Sequence, residues 1–233
     1  MDDLIADVRQ FFCGYRDLYG SKIYLEHSLE EQEDTGERLP GIEEIESPQI
    51  DGELDQFYHQ IKECRRCDLG ALRTNFVFGI GNPHADLLFV GEAPGHDEDQ
   101  QGKPFVGRAG QLLTLMLQAI NLTREQVYIA NVLKCRPPNN RDPLPEEVEK
   151  CEPYLLKQID LIAPKLIVAL GRYASASLLR TRSSLGDLRK TIHTYNNVPL
   201  VVTYHPAALL RNPLLKREAW QDLKKITGYL ARV

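Results

Sequence analysis

Four short runs set the rhythm of this chain: Leu87–Val90, Val127–Val132, the segment KLIVALG at Lys165–Gly171, and VPLVVTY at Val198–Tyr204. Their apolar positions are nearly continuous rather than alternating. Such runs predict strands buried on both faces, as in a parallel sheet. Between them the spacing changes to a helical period. Gly110–Ile120 carries Leu112, Leu113, Leu115, Met116 and Ile120, apolar nearly all round, and predicts a well-buried helix. Pro145, with Glu146 and Glu147 behind it, predicts a helix start, and that helix carries Cys151 and runs to about Ile162. A short helix is expected over 172–180 and a final helix over roughly 214–231. A helical pattern (Leu54, Phe57, Tyr58, Ile61) precedes the first run, and Phe76–Gly79 is a short strand candidate. Buried strands alternating with helices imply right-handed crossovers and a parallel sheet covered on both faces.

The first 52 residues read differently. Leu4, Val8, Phe11, Tyr15 and Leu18 form one helical stripe over 2–19, closed by Gly20. Residues 21–52 are acid-rich, with Gly36, Pro40, Gly41 and Pro48 interspersed, and predict a largely disordered linker. The expected division is an acidic arm at 1–52 and a globular domain at 53–233. The arm's helix docks either on that body or on a protein partner.

Charge sharpens this division. The 233 residues carry a net charge of −5, which on average argues against a nucleic-acid partner. Residues 1–56 hold 16 acidic and 4 basic side chains, a balance of −12, whereas 57–233 hold 17 acidic and 24 basic, a balance of +7. The body is therefore basic and compatible with a phosphate backbone. No run of about 18 apolar residues is present, so no membrane span is expected. The acidic start, MDDLIADVRQ, lacks a signal peptide's pattern, so the expected location is cytoplasmic.

Candidate chemistry gathers just past the strand ends. After Leu87–Val90 comes GEAPG at 91–95, a tight turn, then the acids Asp97, Glu98 and Asp99, and then Phe105 on a loop. Asn131 ends the second strand and His205-Pro206 follows the fourth. Carboxyl ends of parallel strands share one edge, so these groups are expected to meet in one crevice. The turn is not a phosphate loop: it lacks G-x-x-x-x-G-K-[ST], and its acids would repel phosphates. Cys64 and Cys67 form C-x-x-C, with Cys135 and Cys151 as a distant second pair and Cys13 left over. In a cytosolic chain four such thiols suggest a metal. Zinc usually shows two close pairs, four scattered thiolates also suit an iron–sulfur cluster, and buried bystander cysteines are the alternative.

Together these segments resemble the family 4 uracil-DNA glycosylases of the uracil-DNA glycosylase superfamily. The resemblance covers about 54–231: GEAPG at 91–95 with Glu98-Asp99, PFVGRAGQLL at 104–113, NVLKCRPP at 131–138, His205-Pro206, and the four cysteines in order. It implies a three-layer αβα sandwich with a four-stranded parallel sheet. It also implies a structural [4Fe-4S] cluster on Cys64, Cys67, Cys135 and Cys151, and hydrolysis of the N-glycosidic bond of deoxyuridine in uracil-containing DNA; the expected assembly is a monomer. On this reading Phe105 stacks on the flipped uracil, Asn131 pairs with its O4 and N3–H, and the Gly91–Ala93–Gly95 backbone holds its other edge. His205 stabilises charge at O2, Glu92 orients water, and Glu98 lines the pocket near C5. Leu209, Leu210 and Arg211 enter the duplex. Two departures stand out: Ala93 where the family often has glycine, and Ala207 where it commonly has serine. A covalently trapping relative carries a nucleophilic histidine after the third cysteine, where this chain reads CRPPNNRDPLPEE. A non-enzymatic iron–sulfur or zinc module is the remaining alternative.

Overall fold

The computed structural model describes residues 52–232. The helix expected over 2–19, the linker and Cys13 lie outside the described residues. The strands in chain order are β1 (Ile80–Gly81), β2 (Leu87–Gly91), β3 (Tyr128–Asn131), β4 (Leu166–Leu170), β5 (His193–Tyr195) and β6 (Val198–Thr203). They form one sheet in the order β1-β3-β2-β4-β6-β5. The four expected strands are its parallel centre, with β2 between β3 and β4. The sheet is wider than expected because β1 and β5 add antiparallel edges. Phe76–Gly79 is not a strand; β1 begins just after it, while Phe76 and Phe78 turn into the core.

Nine α-helices are described: α1 (Glu53–Ile61), α2 (Leu69–Leu72), α3 (His96–Gln101), α4 (Arg108–Gln118), α5 (Pro145–Ile162), α6 (Gly171–Leu179), α7 (Leu185–Leu188), α8 (Pro206–Arg211) and α9 (Lys216–Leu230). The pleat sorts the continuous apolar runs onto two faces. Leu88, Val90, Ala130, Ile167, Ala169 and Val202 pack with Leu155, Ile159 and Ile162 of α5 and Leu178 of α6. Leu87, Phe89, Ile129, Val168 and Val201 pack with Leu112, Leu113 and Met116 of α4 and with Trp220 and Leu223 of α9. Each fully buried leucine contributes roughly 1.5–3 kcal/mol, so neither face of the sheet is stable uncovered. The result is the three-layer αβα sandwich. Registers Gly91↔Asn131 and Leu170↔Thr203 bring the carboxyl ends of the four parallel strands to one edge.

Candidate functional site

Along that edge, backbone pairing continues past β2, with Val132 N–H donating to Gly91 O and Leu133 N–H to Glu92 O. Gly91 and Asn131 therefore lie side by side as the floor of a crevice. A methyl group on Gly91 would stand 2.3 Å from Asn131 Oδ1 and 2.6 Å from the Phe105 ring, so only glycine fits there. Asn131 is buried, and its Oδ1 has no hydrogen-bond partner among the described residues. An unsatisfied buried acceptor costs stability and is the mark of a site made for a donor from outside.

Phe105 packs against this floor, and its ring centroid lies 5.5 Å from that of His205, tilted by 33°. Its backbone has φ = 54°, a left-handed conformation that bulky side chains rarely adopt. Glu98, on α3, is what ties the two loops together. One carboxylate oxygen accepts from Gly95 N–H at 3.1 Å, and the other accepts from Val106 N–H at 2.9 Å and Gly107 N–H at 3.0 Å. The acids that follow the turn are thus not all solvated loop residues: His96–Gln101 is helical, and Asp99 is buried, accepting from Thr74 N–H at 2.9 Å. Ala93 is partly buried and packs against the core.

Glu92 is half-buried, and its carboxyl is pushed up to about 7, first by burial and then by the negative Asp142, with Arg172 opposing. Asp142 is itself held by the Tyr173 hydroxyl, which accepts from Arg172 Nη2 at 2.8 Å. His205 is pulled down to about 4, first by burial and then by Arg211, so its imidazole is neutral near pH 7. Its Nδ1 accepts from Ala207 N–H at 3.1 Å. That fixes the tautomer: the proton sits on Nε2, which is left as a donor. Gly171 (φ = 87°), the first residue of α6 directly after β4, lies against the histidine, where a methyl would come within 2.7 Å of His205 Cβ. Sequence reading did not single out Gly171 or Asp142. The only signal was a glycine closing KLIVALG. Nothing in the sequence marked the aspartate.

Behind His205, Thr203 and Arg189 both donate to the buried Asp222, at 3.0 and 2.6 Å. Arg189 stacks over Tyr204, 4.2 Å from its centroid, and so anchors the end of β6. The segment that follows requires a correction. Leu209 is fully buried beneath α4, packed in the core cluster of Leu112 and Trp220, and cannot enter a duplex. Leu210 is half-buried and Arg211 exposed. The exposed apolar residue is Leu214, at 86 %, on the 3-10 turn Pro213–Leu215. Asn212 Oδ1 caps that turn by accepting from Leu214 N–H at 3.2 Å.

Cys64, Cys67, Cys135 and Cys151 form no disulfide and line one cavity, together with Gly70, Phe76 and Tyr154. Donors already point at the sulfurs: Arg73 Nη1 at 3.1 Å from Cys135 Sγ, Tyr154 Oη at 3.1 Å from Cys64 Sγ, and Lys134 N–H at 3.4 Å from Cys151 Sγ. Burial raises the thiol of Cys135 and pushes that of Cys151 up to about 11, so these groups become thiolates only against a strong cation. Among the described residues no three His, Cys, Asp or Glu side chains converge tightly enough for a single ion. Four thiols around one cavity are a donor set that can together hold a metal centre.

Comparison with known proteins gives a consistent picture. Residues 78–224 match the Uracil DNA glycosylase superfamily. The chain is similar to the type-4 uracil-DNA glycosylase of Archaeoglobus fulgidus, 51% identical over 181 residues, covering 74% of this chain and 91% of that protein. It is similar to the type-4 enzyme of Thermotoga maritima, 44% identical over 177 residues, covering 74% and 92%. The type-5 enzyme of Pyrobaculum aerophilum is more distant, 30% identical over 191 residues, covering 68% and 84%.

Proposed function

The chain belongs to the uracil-DNA glycosylase superfamily, and from that membership we propose that it hydrolyses the N-glycosidic bond of deoxyuridine in DNA, releasing uracil and leaving an abasic site. The observation that carries this reading is the buried, partnerless Asn131 Oδ1, set beside an aromatic face and a neutral histidine donor.

The base must first leave the stack. A flipped uracil lies against Phe105. Asn131 Oδ1 accepts from uracil N3–H while its amide N–H2 donates to O4. His205 Nε2–H donates to O2, where negative charge grows as the bond to the sugar breaks. A neutral donor there stabilises the leaving group more than the ground state. Glu92, as carboxylate, holds the attacking water and faces the cation-like sugar. Water oxygen bonds to C1′, the electrons of the C1′–N1 bond leave with uracil, and the water's proton passes through Glu92 to the base. Glu92 suits this role better than Glu98, whose two oxygens are already engaged by three backbone N–H groups. Exposed Arg211 and Leu214 are the groups of the following segment that meet DNA.

Cys64, Cys67, Cys135 and Cys151 would hold a [4Fe-4S] cluster, which would supply a structural fastening between the segment joining α1 to α2, the loop after β3, and α5. The donors to the sulfurs and the shared cavity support that assignment. No described helix is long and apolar enough to cross a membrane. A monomer, with the acidic arm meeting a protein partner, completes the reading. Incubation with a uracil-containing oligonucleotide followed by alkali tests it. Strand cleavage with turnover is expected; an intact strand, or a covalent adduct without turnover, overturns it.

A further inference from the structure

Phe105 is held in its pocket by a backbone conformation that its own side chain disfavours. Something outside the loop must fix it, and two charged side chains of opposite sign meet the peptides on either side. Before it, Arg124 is buried and its Nη2 donates to Pro104 O at 3.0 Å, while its Nη1 reaches Thr114 Oγ1 on α4 at 3.4 Å. After it, Glu98 accepts from Val106 and Gly107 N–H and, with its other oxygen, from Gly95 N–H in the turn after β2. Left-handed geometry at residue 105 is what folds this loop back so that the ring turns toward Gly91 and His205. An extended or right-handed residue would send the ring elsewhere.

We propose that Arg124 and Glu98 are positioning residues that clamp the peptides flanking Phe105, presetting its ring as a rigid stacking face for the flipped base. Arg124 sits in the turn before β3, away from every motif of the site, and makes no contact that base chemistry would require. Its role is to reduce what the flipped base must order on arrival: with the aromatic already in place, stacking costs little rearrangement. Glu98 then acts through Phe105 and the GEAPG turn rather than as a group that touches uracil. This inference rests on the reading of Phe105 as the stacking face.

A double-mutant cycle separates this role from general stability. Arg124→Met should slow single-turnover uracil release by about tenfold or more when Phe105 is present. In a Phe105→Ala background the same change should cost less than roughly twofold, because there is no ring left to place. Arg124→Lys, which keeps one donor for Pro104 O, should recover part of the loss. Where Arg124→Met fails to fold, Glu98→Ala gives the same cycle, since it removes the acceptor of Val106 and Gly107 N–H. Independently of activity, 4-fluorophenylalanine at position 105 should give one sharp fluorine resonance in the parent protein and a broadened, shifted one in either variant. Equal losses in both backgrounds, or an unchanged fluorine resonance, would overturn the clamp. A parent protein that releases no uracil would instead sink the glycosylase reading, and the fluorine spectra would still judge the clamp.

Discussion

At the scale of single residues, the site is a set of groups whose ordinary states are shifted by burial. Asn131 offers an unpaired oxygen, so its pairing is decided by what enters the pocket. Asn131→Asp removes the donor to O4 and leaves an acceptor facing it, a mismatch of about 1–3 kcal/mol or more. Single-turnover kinetics should show uracil release reduced by roughly tenfold or more, with slight action on cytosine, whose amino group now meets an acceptor. Glu92 gives the pH dependence. Its carboxyl is raised to about 7, so the carboxylate proposed to hold the water becomes the major form only as pH passes that value. The rate should climb through that pH and then level, with no limb from His205, which titrates near 4. The sign for stability is opposite. A carboxyl raised from 4.5 to about 7 on folding contributes stability that is complete below the lower value and lost as pH rises through the upper one. Glu92→Gln should therefore melt above the parent protein near pH 8 and level with it near about pH 4, while losing the rising limb of activity.

Elements place those residues, and their packing reassigns some of them. Helix α8 starts from His205 with Pro206 at its first position, and its inward side is filled by Leu209. The chain then turns through Pro213–Leu215, presenting Leu214 on a capped turn instead of a floppy loop. An exposed leucine on a capped turn near Arg211 is suited to fill the gap that a flipped base leaves. Leu214→Ala should lower activity on duplex uracil several-fold, by roughly 1 kcal/mol, and leave activity on single-stranded uracil nearly unchanged, as measured by parallel single-turnover assays. Equal losses on both substrates would show that the turn acts on the pocket rather than on the duplex.

In the whole molecule, the cysteine cavity and the crevice share the loop after β3. Asn131 and Cys135 are four residues apart, and buried Lys134 bridges Asn131 O at 2.8 Å to Gln158 Oε1 of α5 at 2.6 Å. Loss of the fastening should thus be felt first as folding. Cys135→Ala is expected to cost solubility and the brown colour of anaerobically purified protein before it costs chemistry in the fraction that stays folded. A colourless, zinc-loaded parent protein would contradict the iron assignment. The arm pulls the other way in charge. With a balance of −12 over 1–56 it is repelled by DNA. Deleting residues 1–50 should keep glycosylase activity and tighten DNA binding at low salt, read by titration at two salt concentrations.

The sequence by itself determined the parallel centre of the sheet, because strands buried on both faces must be written as unbroken apolar runs. It also determined that GEAPG, Asn131 and His205 share an edge, because every strand of a parallel sheet ends on the same side. It left β1 and β5 unread: two- and three-residue edge strands need only a neighbour's free backbone and carry no periodicity of their own. Leu209 and Leu214 are the same residue type five positions apart, and only the approach of α4 and α9 decides which is core and which is surface. The hold of Glu98 on Val106 and Gly107, and of Arg124 on Pro104, belongs wholly to the tertiary structure. A carboxylate or guanidinium binding a distant peptide leaves no pattern in sequence, since its partner is a backbone group that every residue supplies.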